Sequence, residues 1–352
     1  MSHAPLQREP ASLFRVEGGP EIPPGAAEWL FARSRRRLRV ARFSPQGAVR
    51  GSVVLSPGRT EAIEKYGEVA LALVERGFVV LTHDWAGQGL SERFLVDGRR
   101  GDIDGGWRAF LADFGDVVTS YASELPRPWI AVAHSMGGAL TALALSELAL
   151  GFDGAVLCAP MMEFAAGRIP MWATRRVVAG AMRLGIGKRL ARGQLDLSEI
   201  PFEHNVLTHD RARYERSQRL YRAHPELRLG EPTWRWLEFG IDLRDELARP
   251  GTAERIRCPV TILAAGDDCV VHNGPIRRFA ARIPRGVYVE LPGAFHEILM
   301  ESDRYRDRFF AEFDGLEQAL PRGARNPPRE PSNPELARLD PKLRVLGREH
   351  GE

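Results

Sequence analysis

The stretch AVAHSMGGAL at residues 131–140 runs from small apolar residues into a serine and two glycines. The hydroxyl of Ser135 stands where a strand predicted over 129–134 (WIAVAH) gives way to a helix predicted over 136–150. A serine raised on such a turn is a nucleophile elbow. The turn is tight and strained, so the residues two before and two after must be small. Here they are Ala133 and Gly137, with Gly138 beyond. The same context would also suit a serine that only caps the helix, so the rest of the machinery decides. A hydroxyl nucleophile needs a base, and the base needs an acid to fix its tautomer. His296, in the loop PGAFHEIL, follows the last predicted strand. The acid falls in AAGDDCVVHN at 264–273, after the strand VTILAA, where both Asp267 and Asp268 are candidates. The run Asp268–Val271, placed before a helix, favours Asp268. A developing oxyanion needs two donors. One is the backbone N–H of Met136, directly after the serine. The other is the N–H of Arg59 in SPGRTE (56–61), where Gly58 lets the backbone turn close to a substrate. The loop HDWAGQGLSER (83–93) is read as structural packing beside the elbow.

These loops need a scaffold that brings strand ends to one edge. Short apolar runs at 53–56, 78–82, 129–134, 154–159, 260–265 and 287–291 alternate with helical patterns at 63–75, 110–125, 136–150, 273–283 and 304–320. Wholly apolar strands separated by helices predict a mostly parallel sheet covered on both faces. A short strand is also expected near 13–17. Between Pro160 and Cys258 the pattern is helical, with no convincing strand. The expected organisation is an N-terminal extension over 1–35, a core over 36–160 and 258–320, a helical cap over 161–257, and a proline-rich, disordered tail over 321–352.

The chain has 352 residues and a formal charge of +3. No stretch combines dense basic charge with interleaved aromatics, so a nucleic-acid partner is not expected. The three cysteines, Cys158, Cys258 and Cys269, have no metal or disulfide spacing and read as free thiols in a reducing compartment. There is no secretory leader pattern and no apolar run of membrane-spanning length. The expected location is cytoplasmic, with room for a peripheral contact at the inner membrane. The oligomeric state is left open.

Taken in order, PGRTEAIEKYGEVALALVERGF, DWAGQGLSER, AHSMGGAL, FDGAVLCAPM, GDDCVVHN and GAFHEILMESD resemble the α/β-hydrolase superfamily. More narrowly they resemble its bacterial lysophospholipase and monoacylglycerol-lipase-like branch, of the serine aminopeptidase S33 type. The likeness covers roughly residues 50–315. It implies an α/β-hydrolase fold, a mostly parallel sheet flanked by helices, with a helical cap inserted after the sixth strand. It also implies a serine carboxylester hydrolase acting on lysophospholipids or monoacylglycerols through an acyl-enzyme. Ser135, Asp268 and His296 would form the triad and Arg59 and Met136 the oxyanion pair, with no cofactor or metal. Departures from the family pattern are Pro57-Gly58 in place of His-Gly, and Trp85 and Ala86 within the place of Asp-x-Arg-Gly.

The cap would choose the substrate. Residues 168–193 are apolar with interspersed arginines, a composition suited to a membrane surface or an acyl groove. Trp234, Trp236 and Phe239 are candidates for lining an acyl pocket. The run RSRRRLR at 33–39 could meet phosphate or serve as a solvated strand face. The alternative chemistry is a short-chain carboxylesterase, or a peptidase or amidase of the same fold. For a peptidase, Glu163, Glu199 and Glu203 are the acids that could receive a substrate amine.

Overall fold

A computed structural model describes residues 5–97, 101–165, 169–191 and 200–320. The expected disordered tail at 321–352 lies outside them. Among the described residues nine strands form one sheet. They are β1 (Arg8–Ala11), β2 (Gly25–Phe31), β3 (Arg37–Phe43), β4 (Gly51–Ser56), β5 (Phe78–His83), β6 (Trp129–His134), β7 (Gly154–Cys158), β8 (Val260–Ala265) and β9 (Gly286–Leu291). Their spatial order is β1-β2-β3-β5-β4-β6-β7-β8-β9. The first three strands pair antiparallel, as do β3 and β5, and the remaining pairs are parallel.

Strands β4 to β8 are buried along their whole length. That is why they read as unbroken apolar runs rather than as alternating ones. Helices α1 (Gly67–Glu75), α2 (Gly106–Tyr121), α3 (Ser135–Glu147), α7 (Asn273–Arg282) and α8 (Asp303–Ala319) pack against the sheet or one another. Helix α3 is buried on nearly every side, which its small residues Gly137, Gly138, Ala139, Ala142 and Ala144 permit.

The N-terminal edge departs from expectation. Residues 1–35 are not only an extension, because β1 and β2 belong to the main sheet. The strand expected near 13–17 lies instead at 8–11 and pairs with β2. Strand β3 was masked in the sequence by its arginines. Arg39 is fully buried there because Glu64 and Asp84 receive its guanidinium, with Nη1–Oε1 at 2.6 Å and Nε–Oδ2 at 2.8 Å. Arg33 and Arg36 pair with Asp116 and Asp113 of α2. Three of the five arginines of the basic run are therefore ion-paired to the fold, and Arg37 lies over the Trp29 ring.

The helical interval lies between β7 and β8. The extra edge strand β1 makes the preceding strand the seventh of this chain, not the sixth. The interval holds α4 (Met171–Arg183), α5 (Arg211–Ala223) and α6 (Trp234–Ala248). Thr233 caps α6 and Asp210 caps α5 through side-chain oxygens that accept backbone N–H groups. Among the described residues no helix is long and apolar enough to cross a membrane.

Candidate active site

Strand β6 sits between β4 and β7, at the centre of the parallel part of the sheet. Its chain leaves the sheet edge at His134 and turns at once into α3. Ser135 holds a φ of +51°, a conformation costing a side-chain-bearing residue about 1–3 kcal/mol. The neighbours tolerate the turn only because they lack side chains. A Cβ on Gly137 would collide with the Pro57 carbonyl oxygen, and one on Gly138 would sit 2.9 Å from Pro160 Cβ. The Met161 N–H holds the far side, donating to the Ser135 carbonyl at 2.9 Å.

His296 Nε2 lies 2.9 Å from Ser135 Oγ, and His296 Nδ1 lies 2.7 Å from Asp268 Oδ2. An ionised carboxylate can only accept, so Nδ1 carries the proton and Nε2 is free to accept from the serine hydroxyl. Asp268 Oδ1 accepts the N–H groups of Val270 and Val271 at 2.7 and 3.0 Å. Burial works against the charge of Asp268, yet the histidine and these N–H groups hold its carboxyl below the ordinary aspartate range. Asp267 is exposed. Its backbone N–H donates to the Ala294 carbonyl at 3.0 Å, which ties the loop of Asp268 to the loop of His296.

Of the two expected oxyanion donors, Met136 follows the serine directly and Arg59 follows Gly58, which packs against the serine. Met136 stands in the first turn of α3, where N–H groups have no intrahelical partner and the helix dipole favours negative charge. Gly58 presses against the elbow. A Cβ there would be 3.1 Å from Ser135 Cβ and 3.0 Å from His134 Cδ2, and Arg59 is the next residue. The loop is clamped from the 83–93 segment. Trp85 Nε1 donates to Pro57 O and Gln88 Nε2 to Gly58 O, both at 2.8 Å.

A buried ionic group beside this loop was not read from the sequence. One oxygen of Glu61 accepts the Gly58 N–H and the Tyr66 hydroxyl, the latter at 2.6 Å. Its other oxygen is 2.9 Å from Lys65 Nζ, which is also 2.6 Å from Glu297 Oε1. Burial opposes the charge of Glu61, but Lys65, His134 and the Tyr66 hydroxyl together outweigh it and the carboxyl stays well below its ordinary value. Burial raises Glu297. Glu61 and Lys65 stand four positions apart, but Glu61 precedes the helical turn and its spacing carried no helical signal. The third member, Glu297, is 232 positions from Lys65 and carried no local signal.

These groups open into a cavity of about 530 Å³ between the strand ends and the helical interval. Ser135 and His296 lie on its wall with Phe164, Val178, Leu229 and Leu237. Of the three aromatic candidates, Trp234 and Trp236 line it. Phe239 does not, because further along α6 it meets Phe110 of α2 at 5.3 Å and belongs to the core. Of the acidic candidates, Glu163 pairs with Arg244 and Glu203 with Arg211 at 2.5 Å, both away from the cavity wall. Glu199 lies outside the described residues.

A mostly parallel sheet with a serine, histidine and aspartate at its strand ends defines an α/β-type serine hydrolase. The profile of the serine aminopeptidase S33 family matches residues 47–303, and the chain belongs to that family. Lysophospholipase L2 of Escherichia coli strain K12 is 35% identical over 283 residues, which is 76% of this chain and 80% of the relative. Mouse monoglyceride lipase is 25% identical over 80% of this chain and 79% of its own length. Among solved structures, a soluble variant of Saccharomyces cerevisiae monoglyceride lipase with a substrate analogue superposes at a TM-score of 0.62, with 16% identity, over 80% of this chain and 92% of that one. A carboxyl esterase of Bacillus coagulans superposes at 0.63, with 18% identity, over 90% and 100%.

Proposed function

We propose that the protein hydrolyses the carboxylic ester of a monoacyl lipid, a lysophospholipid or a monoacylglycerol, through an acyl-enzyme on Ser135. The observation that carries this reading is the hydrogen-bonded series Ser135–His296–Asp268 opening into a large, mainly apolar cavity. His296 Nε2 takes the hydroxyl proton as Oγ attacks the ester carbonyl. Asp268 stabilises the imidazolium, and the N–H groups of Met136 and Arg59 hold the tetrahedral oxyanion. His296 then gives the proton to the departing alcohol. Water attacks the acyl-enzyme with the same base and releases the fatty acid.

In this reading residues 161–257 act as a cap that shelters the acyl chain, with Trp234 and Trp236 against it. The names of the two sequence relatives support a lipid substrate. An amine-binding acid, as a peptidase would need, finds no support in Glu163 or Glu203, which are engaged by arginines. A peripheral membrane contact is also proposed, through the exposed side chains of α4 and its flanks.

The test is fatty-acid release from a lysophosphatidylcholine, a monoacylglycerol and a short p-nitrophenyl ester, with Ser135→Ala as the blank. Release from either lipid that vanishes in Ser135→Ala is expected. Activity on the short ester alone would overturn the lipid reading, and an unchanged rate in Ser135→Ala would overturn the site.

A further inference from the structure

Arg59 joins the oxyanion loop to the cavity wall, and among the described residues no carboxylate holds its side chain. Other cations on that wall are committed. Lys65 lies between Glu61 and Glu297, and Arg213 is held by Glu68, Asp210 and Asp303. Among the described residues no acid comes within ion-pair distance of Arg59. Its Nη2 donates to the Gly230 carbonyl, its guanidinium rests over the Trp236 ring at 4.9 Å, and its Nε has no hydrogen-bond partner. Burial lowers its pKa to about 10, against the weaker opposing field of Glu231, so it remains a cation at neutral pH. A charge kept in an apolar cavity without a counter-ion is costly. A ligand anion would offset that cost, and the planar fork of a guanidinium matches phosphate oxygens.

We propose that the Arg59 guanidinium is a subsite for the phosphodiester of a lysophospholipid, so that the cavity prefers phosphate-bearing monoacyl lipids to neutral monoacylglycerols. This rests on the lipid-ester reading above. The spacing suits it. The backbone N–H of Arg59 would hold the oxyanion while its guanidinium stands at the end of the same side chain. In a 1-acyl lysophospholipid the phosphorus is separated from the ester carbonyl by a glycerol chain of comparable length. A monoacylglycerol of the same acyl chain would reach the serine but leave the cation bare.

The test compares wild type, Arg59→Met and Arg59→Lys on a lysophosphatidylcholine and a monoacylglycerol of equal acyl length. Both substitutions keep the backbone N–H, so the ratio of kcat/KM between the two lipids is the readout. In Arg59→Met that ratio should fall about 10- to 100-fold, the span of a hydrogen bond to a charged group. The loss should lie mainly in KM, with Arg59→Lys recovering part of it. An equal fall on both lipids would overturn the proposal. A second arm measures inhibition of p-nitrophenyl ester hydrolysis by dodecylphosphocholine, by dodecylglycerol ether and by inorganic phosphate. Stronger inhibition by the phosphocholine, lost in Arg59→Met, is expected. Inorganic phosphate inhibiting as strongly would make this a free-anion site and overturn the lipid assignment. If wild type cleaves neither lipid, the reading under Proposed function fails, and the inhibition arm still decides the role of Arg59.

Discussion

The ammonium of Lys65 sits 2.6 Å from the carboxylate of Glu297, the residue that follows His296 in the chain. Through Glu61 the same ammonium reaches the Gly58 N–H. One buried cation therefore ties the proposed oxyanion loop to the loop of the proposed base. Lys65→Met would leave two carboxylates in a buried space with no cation between them. Breaking a buried pair in this way costs about 3–5 kcal/mol. A large drop in thermal midpoint is expected, together with a fall in kcat that exceeds any change in KM. Calorimetry and steady-state kinetics on the same preparation check both. Retention of wild-type kcat would show that the bridge does not position the loops.

Hydrogen bonding favours the same one of two adjacent aspartates as the sequence run does for the proposed acid. Asp268 reaches His296 at 2.7 Å, whereas Asp267 faces solvent. Asp268→Asn should lower kcat by about 10⁴-fold, as expected when the base loses its correct tautomer. Asp267→Asn should stay close to wild type. Kinetics on any turned-over ester will separate them, and a reversed order would move the acid by one position.

Two histidines make the fold acid-sensitive. Burial holds His83 at about 3 and His134 at about 4, whereas an unfolded histidine titrates near 6.5. Below about pH 6.5 the unfolded chain takes up protons that the folded chain refuses. Stability is therefore full above that value and falls as pH drops toward 4, by about 1.4 kcal/mol per pH unit for each histidine. Among the described residues both nitrogens of His83 lack hydrogen-bond partners, and its ring lies 4.5 Å from that of Trp85 and 5.6 Å from that of Phe114. His83→Phe should make the decline from pH 6.5 to 4 shallower. Denaturant melts across that range test it, and a slope equal to wild type would refute it.

Helix α4 turns Thr174, Val178 and Ala181 inward. Outward it exposes Trp172 at 64% and, just past its end, Leu184 at 77%. Val177 and Ile169 are also exposed and line the cavity. This supports the proposed membrane contact, since exposed apolar side chains and part of the cavity wall share this helix and its start. Trp172→Ser combined with Leu184→Ser should weaken sedimentation with phospholipid vesicles several-fold. Hydrolysis of a soluble short ester should be spared. Unchanged sedimentation would remove the membrane contact.

The parts of the fold legible from the sequence were those written in local pattern. Strands β4 to β8 are contiguous apolar runs because both of their faces are covered, and runs of that kind need no knowledge of the rest of the chain. The elbow was legible for a similar reason, since Ala133, Gly137 and Gly138 are small residues at fixed offsets from Ser135. Strand β3 was only partly legible, because Arg39 reads as solvent-facing until Glu64 and Asp84 arrive from distant segments to pair with it, as Asp116 and Asp113 do for Arg33 and Arg36 just before the strand. The same holds for Glu297 beside Lys65 and for the departure of Phe239 from the cavity. A sequence states where a backbone bends and which way a side-chain period points. Which charge meets which, and what a cavity encloses, depend on contacts between segments far apart in the chain, and those exist only once the sheet has assembled.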